Sequence, residues 1–173
     1  MLIFLVGFMG CGKSYLGRHL APLMQYDYID MDKYIEENEG LSVKEIFEQK
    51  GEDYFRKTEH YFLETLDANK NIVISTGGGV PCFFNNMEII NQKGLSIFIN
   101  PDKEVTISRL IKGKHKRPLL ASLSQEEIED YYDKKLAERL PFYKQAKIQV
   151  GKITAEELLP IIENYKTSIF YKA

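Results

Sequence analysis

The chain has 173 residues, 44% apolar and 28% charged, the composition of a folded domain rather than a fibrous or disordered one. Its 23 Lys and Arg against 25 Asp and Glu leave a net charge of −2, so no global field draws nucleic acid or a membrane surface, and anion binding has to be local. Cys11 and Cys82 make no disulfide framework and fit a reducing compartment, and the apolar run at residues 2–6 is too short for a signal peptide or a membrane span. The expectation is a cytoplasmic protein of α/β or α class.

Residues 2–6, 26–29, 72–75, 95–99 and 148–150 read as five short apolar strands. Four lack strict polar alternation, which suits strands buried on both faces of a parallel sheet. Leu16, Leu20 and Leu23 predict a helix after the first strand. Capping boxes at Ser42–Glu45, Ser124–Glu127 and Thr154–Glu157 open three more, the first ending at Gly51 and the second running to Arg139 ahead of Pro141. Asn100 and Pro101 supply a cap and an N1 proline to a helix over 102–112. Strand–helix alternation gives right-handed crossovers and helices on both sheet faces. Two regions exceed that scheme. Residues 31–66 hold two or three helices between strands two and three, an inserted helical segment, and residues 112–124, basic and without periodicity, read as a mobile loop.

The run from Gly7 to Ser14 fits G-x-x-x-x-G-K-[ST] and lies between a predicted strand and a predicted helix. Its glycines let the backbone wrap an anion, and the helix N-terminus adds roughly half a positive charge. Gly10, Cys11, Gly12, Lys13 and Ser14, with Tyr15 after them, form the nucleotide-binding set: Lys13 for the β- and γ-phosphates, Ser14 for Mg²⁺. Cys11 reads as a small loop residue. The N/T-K-x-D motif of Ras-like GTPases is missing from the sequence.

Asp30 and Asp32 stand at the end of strand two, where open α/β sheets bind ligands. In an extended segment both face one side, about 6.5–7 Å apart, so one can serve a metal and the other an acceptor hydroxyl. The plainer alternative makes Asp32 a helix N-cap. On a helix over 53–66, with Phe55 at zero and about 100° per residue, Glu59 falls at about 40°, inside the stripe of Phe62 and Leu66. A carboxylate there needs a partner, and Arg56 lies one turn back. The pair either turns the guanidinium toward a cleft or is a structural ion pair. Gly77, Gly78 and Gly79 follow strand three and let a ligand approach the backbone closely.

Taken together, Gly-Phe-Met-Gly-Cys-Gly-Lys-Ser (7–14), Asp-Met-Asp (30–32), Phe-Arg-x-x-Glu (55–59), the triple glycine (77–79), Arg-Pro-Leu-Leu (117–120) and Arg-x-Pro-x-Tyr (139–143) resemble the shikimate kinase family in order and spacing. The resemblance implies a three-layer P-loop NTPase fold of the adenylate-kinase type, with a five-stranded parallel sheet, an acceptor-binding segment at 31–66 and a lid at 112–124. It implies transfer of the ATP γ-phosphoryl group to the 3-hydroxyl of shikimate with Mg²⁺, by a monomer. Carried over by position, Lys13 holds phosphates, Ser14 and Asp30 serve Mg²⁺, and Asp32 contacts the acceptor hydroxyls. Arg56 and Arg139 bind the carboxylate, with Glu59 orienting Arg56. Gly78 and Gly79 line the pocket, Arg117 enters from the lid and Arg109 stacks on adenine. The loop after strand five, Val150 to Thr154, departs from the family's Val-Asp-x-x-x-x-Pro. Another small-molecule P-loop kinase, acting on gluconate or a nucleoside monophosphate, and a nucleotide-dependent binding module without catalysis are the competing readings.

Overall fold

The computed structural model describes residues 1–114 and 120–170. Part of the predicted lid, with Arg117, lies outside the described residues. Five parallel strands form one sheet in the order β2-β3-β1-β4-β5. They are β1 (Leu2–Val6), β2 (Asp27–Asp30), β3 (Ile72–Ser75), β4 (Gly94–Ile99) and β5 (Ile148–Val150). The expected strands are all present, β2 beginning one residue later than the apolar run suggests.

Among the described residues, eight α-helices connect and cover the strands: α1 (Lys13–Met24), α2 (Met31–Glu39), α3 (Val43–Lys50), α4 (Glu52–Thr65), α5 (Asn86–Lys93), α6 (Lys103–Lys112), α7 (Gln125–Tyr143) and α8 (Ala155–Phe170). Every residue of β1 is fully buried, because side chains alternate between two helix layers. Ile3 and Leu5 pack with Leu16 and Leu20 of α1 and Leu158 and Ile162 of α8. Leu2, Phe4 and Val6 face the other layer, where Ile35, Ile46, Phe62, Ile90, Ile107 and Ile128 represent α2 to α7. Both faces demand apolar side chains, which is why β1 shows no polar alternation.

Beside a one-residue offset of α4 at each end, three helix limits differ from expectation. The α6 helix starts at Lys103 with Asp102 in the N-cap position. Asn100 is drawn instead into the sheet, its N–H donating to Val150 O at 2.8 Å, so Pro101 precedes the helix rather than opening it. The α7 helix runs through Pro141 to Tyr143. Proline removes one N–H there, and fully buried Tyr143, stacked on Phe98 with ring centres 5.1 Å apart, fixes the last turn. The third limit is at α2, which begins at Met31 and places Asp32 in a helix, not in an extended segment. The α3 and α7 capping boxes are both formed. Among the described residues, no helix is long and apolar enough to cross a membrane.

Candidate active site

The loops at the carboxyl ends of β1, β2 and β3 converge, as expected for an open parallel sheet. The β1–α1 loop turns at Gly10 (φ 80°) and ends at Gly12 (φ 109°), which caps α1 in a conformation that a side chain would strain. Lys13 is buried, with Nζ donating to Gly7 O (2.8 Å) and Phe8 O (3.0 Å), so the ammonium is fixed against the loop. Cys11 is buried as well, its Sγ 3.7 Å from Lys13 Nζ, as befits a small packed loop residue.

Gly10, Gly12, Lys13, Ser14, Tyr15 and Arg109 line a cleft of about 420 Å³. A second cleft of about 440 Å³ adjoins it, sharing Gly12, Tyr15 and Arg109 and adding Pro101, Ile153 and Thr154. Arg109 sits between the two, its Nη1 donating to Cys11 O at 2.9 Å. Tyr15 is exposed and stacks on His19 at 4.2 Å between centres.

Asp30 ends β2 and holds the N-cap position of α2 without a side-chain cap bond. Tyr28, two residues inward and so on the same side of β2, reaches the backbone carbonyl of Ser14 (3.4 Å) and Asp30 Oδ2 (3.3 Å) with one hydroxyl. It therefore spans the loop and the strand end, a role that the sequence alone does not signal. Asp32, in the first turn of α2, has its pKa pushed up to about 6, first by burial, then by the nearby Asp30 charge, with Lys13 opposing.

The α4 helix buries Phe55, Glu59, Phe62 and Leu63, so Glu59 lies within the apolar stripe as its spacing predicts. Glu59 Oε2 accepts from Arg56 Nη1 at 2.8 Å, while Oε1 has no hydrogen-bond partner among the described residues. Burial raises the Glu59 pKa to about 7 despite the Arg56 cation, and the Asp32 charge adds to the rise. The other edge of Arg56 is held by Glu52, whose Oε1 accepts from Nε (3.1 Å) and Nη2 (2.9 Å). Sequence reasoning overlooked Glu52, although its place one turn before Arg56 is the signal for such a pair.

Each glycine of the triplet is met by a different group. A Cβ on Gly77 would stand 2.7 Å from Asp32 Oδ1 and 3.0 Å from Glu59 Oε1. On Gly78 it would lie 3.2 Å from Met9 N and 3.5 Å from Arg139 Nη1, and on Gly79 it would meet Arg56 Nη1 at 2.7 Å. Side chains crowd Gly77 and Gly79 most closely, and at Gly78 the phosphate-loop backbone is the near neighbour. Gly77, absent from the expected pocket lining, touches both carboxylates. Arg139 projects from α7 with its guanidinium 5.6 Å from the Phe8 ring centre. Tyr143, one turn on, donates to Gly78 O at 2.5 Å and anchors that helix to the triplet. Asp32, Arg56, Glu59, Gly78, Gly79 and Arg139 thus gather beside the phosphate loop.

The model of the shikimate kinase family matches residues 9–166. A shikimate kinase of Bacteroides fragilis is 44% identical over 144 residues, which is 83% of this chain and 80% of the relative. The crystal structure of the shikimate kinase of Bacteroides thetaiotaomicron superposes with a TM-score of 0.83 at 40% identity, covering 87% of this chain and 86% of that one. A shikimate kinase of Acinetobacter baumannii, solved in complex with shikimate, gives a TM-score of 0.85 at 33% identity, covering 95% and 94%.

Proposed function

The chain belongs to the shikimate kinase family, and we propose that its cleft transfers the γ-phosphoryl group of ATP to the 3-hydroxyl of shikimate. The observation that carries this reading is the convergence of Arg56, Glu59 and Arg139 on the glycine triplet beside Lys13. Two guanidiniums suit an acceptor with one carboxylate, and paired acids suit its hydroxyls. A gluconate acceptor shares the carboxylate but not the ring, and a nucleotide acceptor wants base-reading groups.

Lys13, in the phosphate loop, neutralises charge on the transferred group. Asp32 accepts the acceptor hydroxyl's hydrogen bond and takes its proton late in a loose transition state. Arg56 and Arg139 hold the carboxylate, and Glu59 and Glu52 hold Arg56 by separate nitrogen atoms. Arg109 stacks on the adenine, and Arg117, outside the described residues, acts from a lid at 112–124. Helices α2 to α4 are the acceptor-binding segment.

Ser14 and Asp30 fit Mg²⁺: a hydroxyl and a carboxylate are hard oxygen donors, the Tyr28 hydroxyl ties the Ser14 backbone carbonyl and the Asp30 carboxylate to one another, and Mg²⁺ takes few protein ligands beside phosphates. When bound, the ion supplies positive charge to the β- and γ-phosphates. The proposed enzyme is a cytoplasmic monomer, and the two free thiols, Cys11 and Cys82, suit a reducing compartment.

ADP release, followed by a coupled assay with shikimate, gluconate and nucleoside monophosphates in turn, tests the assignment. Turnover confined to shikimate is expected. Equal or faster turnover with another acceptor overturns it.

A further inference from the structure

The segment between β3 and α5 carries features that the reaction, as derived above, does not use. A short 3-10 turn at Val80–Cys82 follows the glycine triplet, and Phe83 and Phe84 come next. Phe84 has φ of 50°, a left-handed backbone that a bulky residue adopts only at a cost. Its ring is exposed, resting on His60 at 4.8 Å between centres, so core burial does not explain the strain.

The turn is nevertheless tied down from both sides. Asn86 is fully buried, its Nδ2 donating to Val80 O at 2.9 Å and its Oδ1 accepting from His60 Nδ1 at 2.7 Å. His60 is the neighbour of Glu59 on α4. The strained turn is therefore stapled to the helix that presents Arg56 and Glu59.

The result is that the Phe83 ring centre lies 4.3 Å from Arg56 Cζ. The Phe55 and Phe47 rings stand further off, at 5.5 and 5.7 Å. The carboxylates of Glu59 and Glu52 hold the guanidinium by its nitrogens, and Gly79 lies close against the group, where an added Cβ would stand 2.7 Å from Nη1 and 3.0 Å from Cζ and Nη2. In-plane hydrogen bonds fix where the group sits but resist tilting poorly. An aromatic ring with the guanidinium carbon this close to its centre adds cation–π attraction and opposes tilt. A carboxylate bound by both nitrogens requires the plane to be fixed in advance.

We infer that Phe83 is a positioning residue, which holds the Arg56 plane ready for the acceptor's carboxylate. The inference deepens the proposed function and rests on it. It says that acceptor affinity is set partly by a residue that need not touch the acceptor's hydroxyls, the phosphates or the reacting atoms.

Steady-state kinetics of full-length Phe83→Leu and Phe83→Tyr beside the wild type test it. Phe83→Leu keeps the apolar volume and loses the π face, so the KM for shikimate should rise by about 3–10-fold, with kcat and the KM for ATP within about twofold. Phe83→Tyr keeps the face and should restore the wild-type KM. If Phe83→Leu does not fold, Phe83→Met carries the same comparison. An unchanged shikimate KM in the leucine or methionine variant, or equal losses for ATP and shikimate, overturns the inference. A wild type that turns shikimate over while the variants match it condemns this inference alone. A wild type with no shikimate turnover condemns the reading beneath it as well.

Discussion

The two halves of the cleft are made differently. On the nucleotide side the backbone supplies the shape: three positive-φ glycines within six residues and a buried lysine bonded to loop carbonyls. On the acceptor side the side chains supply it, from α2, α4 and α7, and they are poised uneasily. Glu59 leaves one buried oxygen without a partner among the described residues, and the acids of Asp32 and Glu59 are pushed to about 6 and about 7. A phosphate chain is common to many substrates, so a contiguous loop suffices. A particular polyol acid requires charges brought from distant segments, and holding unpaired groups ready for it costs stability.

The sharpest way to break this contrast is Lys13→Ala. Loss of a preorganised charge at the transferring phosphoryl group should lower kcat by at least about 10²-fold in a folded protein. Near-normal turnover would empty the nucleotide side of its assigned chemistry. Next come the two aspartates. Asp32→Asn should cut kcat by about 10²-fold, with no relief from added metal, whereas Asp30→Asn should raise the Mg²⁺ requirement and recover in part as Mg²⁺ is increased. Rates measured against Mg²⁺ at several shikimate concentrations separate them, and identical responses would merge the pair into one metal site. In the wild type, kcat/KM for shikimate should fall as pH drops through about 6, where Asp32 takes up a proton.

Gly79→Ala probes crowding alone. The added Cβ would stand 2.7 Å from Arg56 Nη1, so the guanidinium must move, and kcat/KM for shikimate should fall by about 10-fold or more while the KM for ATP holds. A silent substitution would mean that Arg56 is not held where it is needed. Glu59→Gln is milder for activity, raising the shikimate KM by about tenfold through the loss of a charge-assisted bond. Its stability signature is distinctive. Glu59 titrates near 7 in the fold against an ordinary 4.5, so the fold holds an extra proton between those values, and wild-type stability should decline as pH rises through that window. The glutamine variant should lose the decline in melting temperature between pH 6 and 7, the part below pH 6 being shared with Asp32, and an undiminished slope above pH 6 would locate the proton elsewhere.

Much of this was legible in the sequence because it is local. The phosphate loop is contiguous, the limits of β1, β3 and β5 coincide with apolar runs, and the burial of Glu59 follows from helical spacing. What was not legible depends on contacts between segments. Pro141 argues for a helix end, and only Tyr143, reaching Phe98 and Gly78, explains why α7 continues. The extended reading of residues 30–32 failed because α2 begins directly after β2. Tyr28 joins Ser14 to Asp30 across two elements, and Phe83 reaches Arg56 through a backbone angle at Phe84 that no residue type announces.

The position of β1 has a dynamic consequence. It is paired on both sides, by β3 and β4, and sealed by helices above and below, so its amides can meet solvent only when the sheet itself comes apart. The phosphate loop grows directly from that strand. Deuterium should therefore enter β1 last and at the rate of global unfolding, whereas the turn around Phe84, at the edge of the acceptor pocket, should exchange by small local openings. The nucleotide's anchor inherits the stability of the whole domain, and the acceptor's pocket depends on local ties such as those Asn86 makes to Val80 and His60.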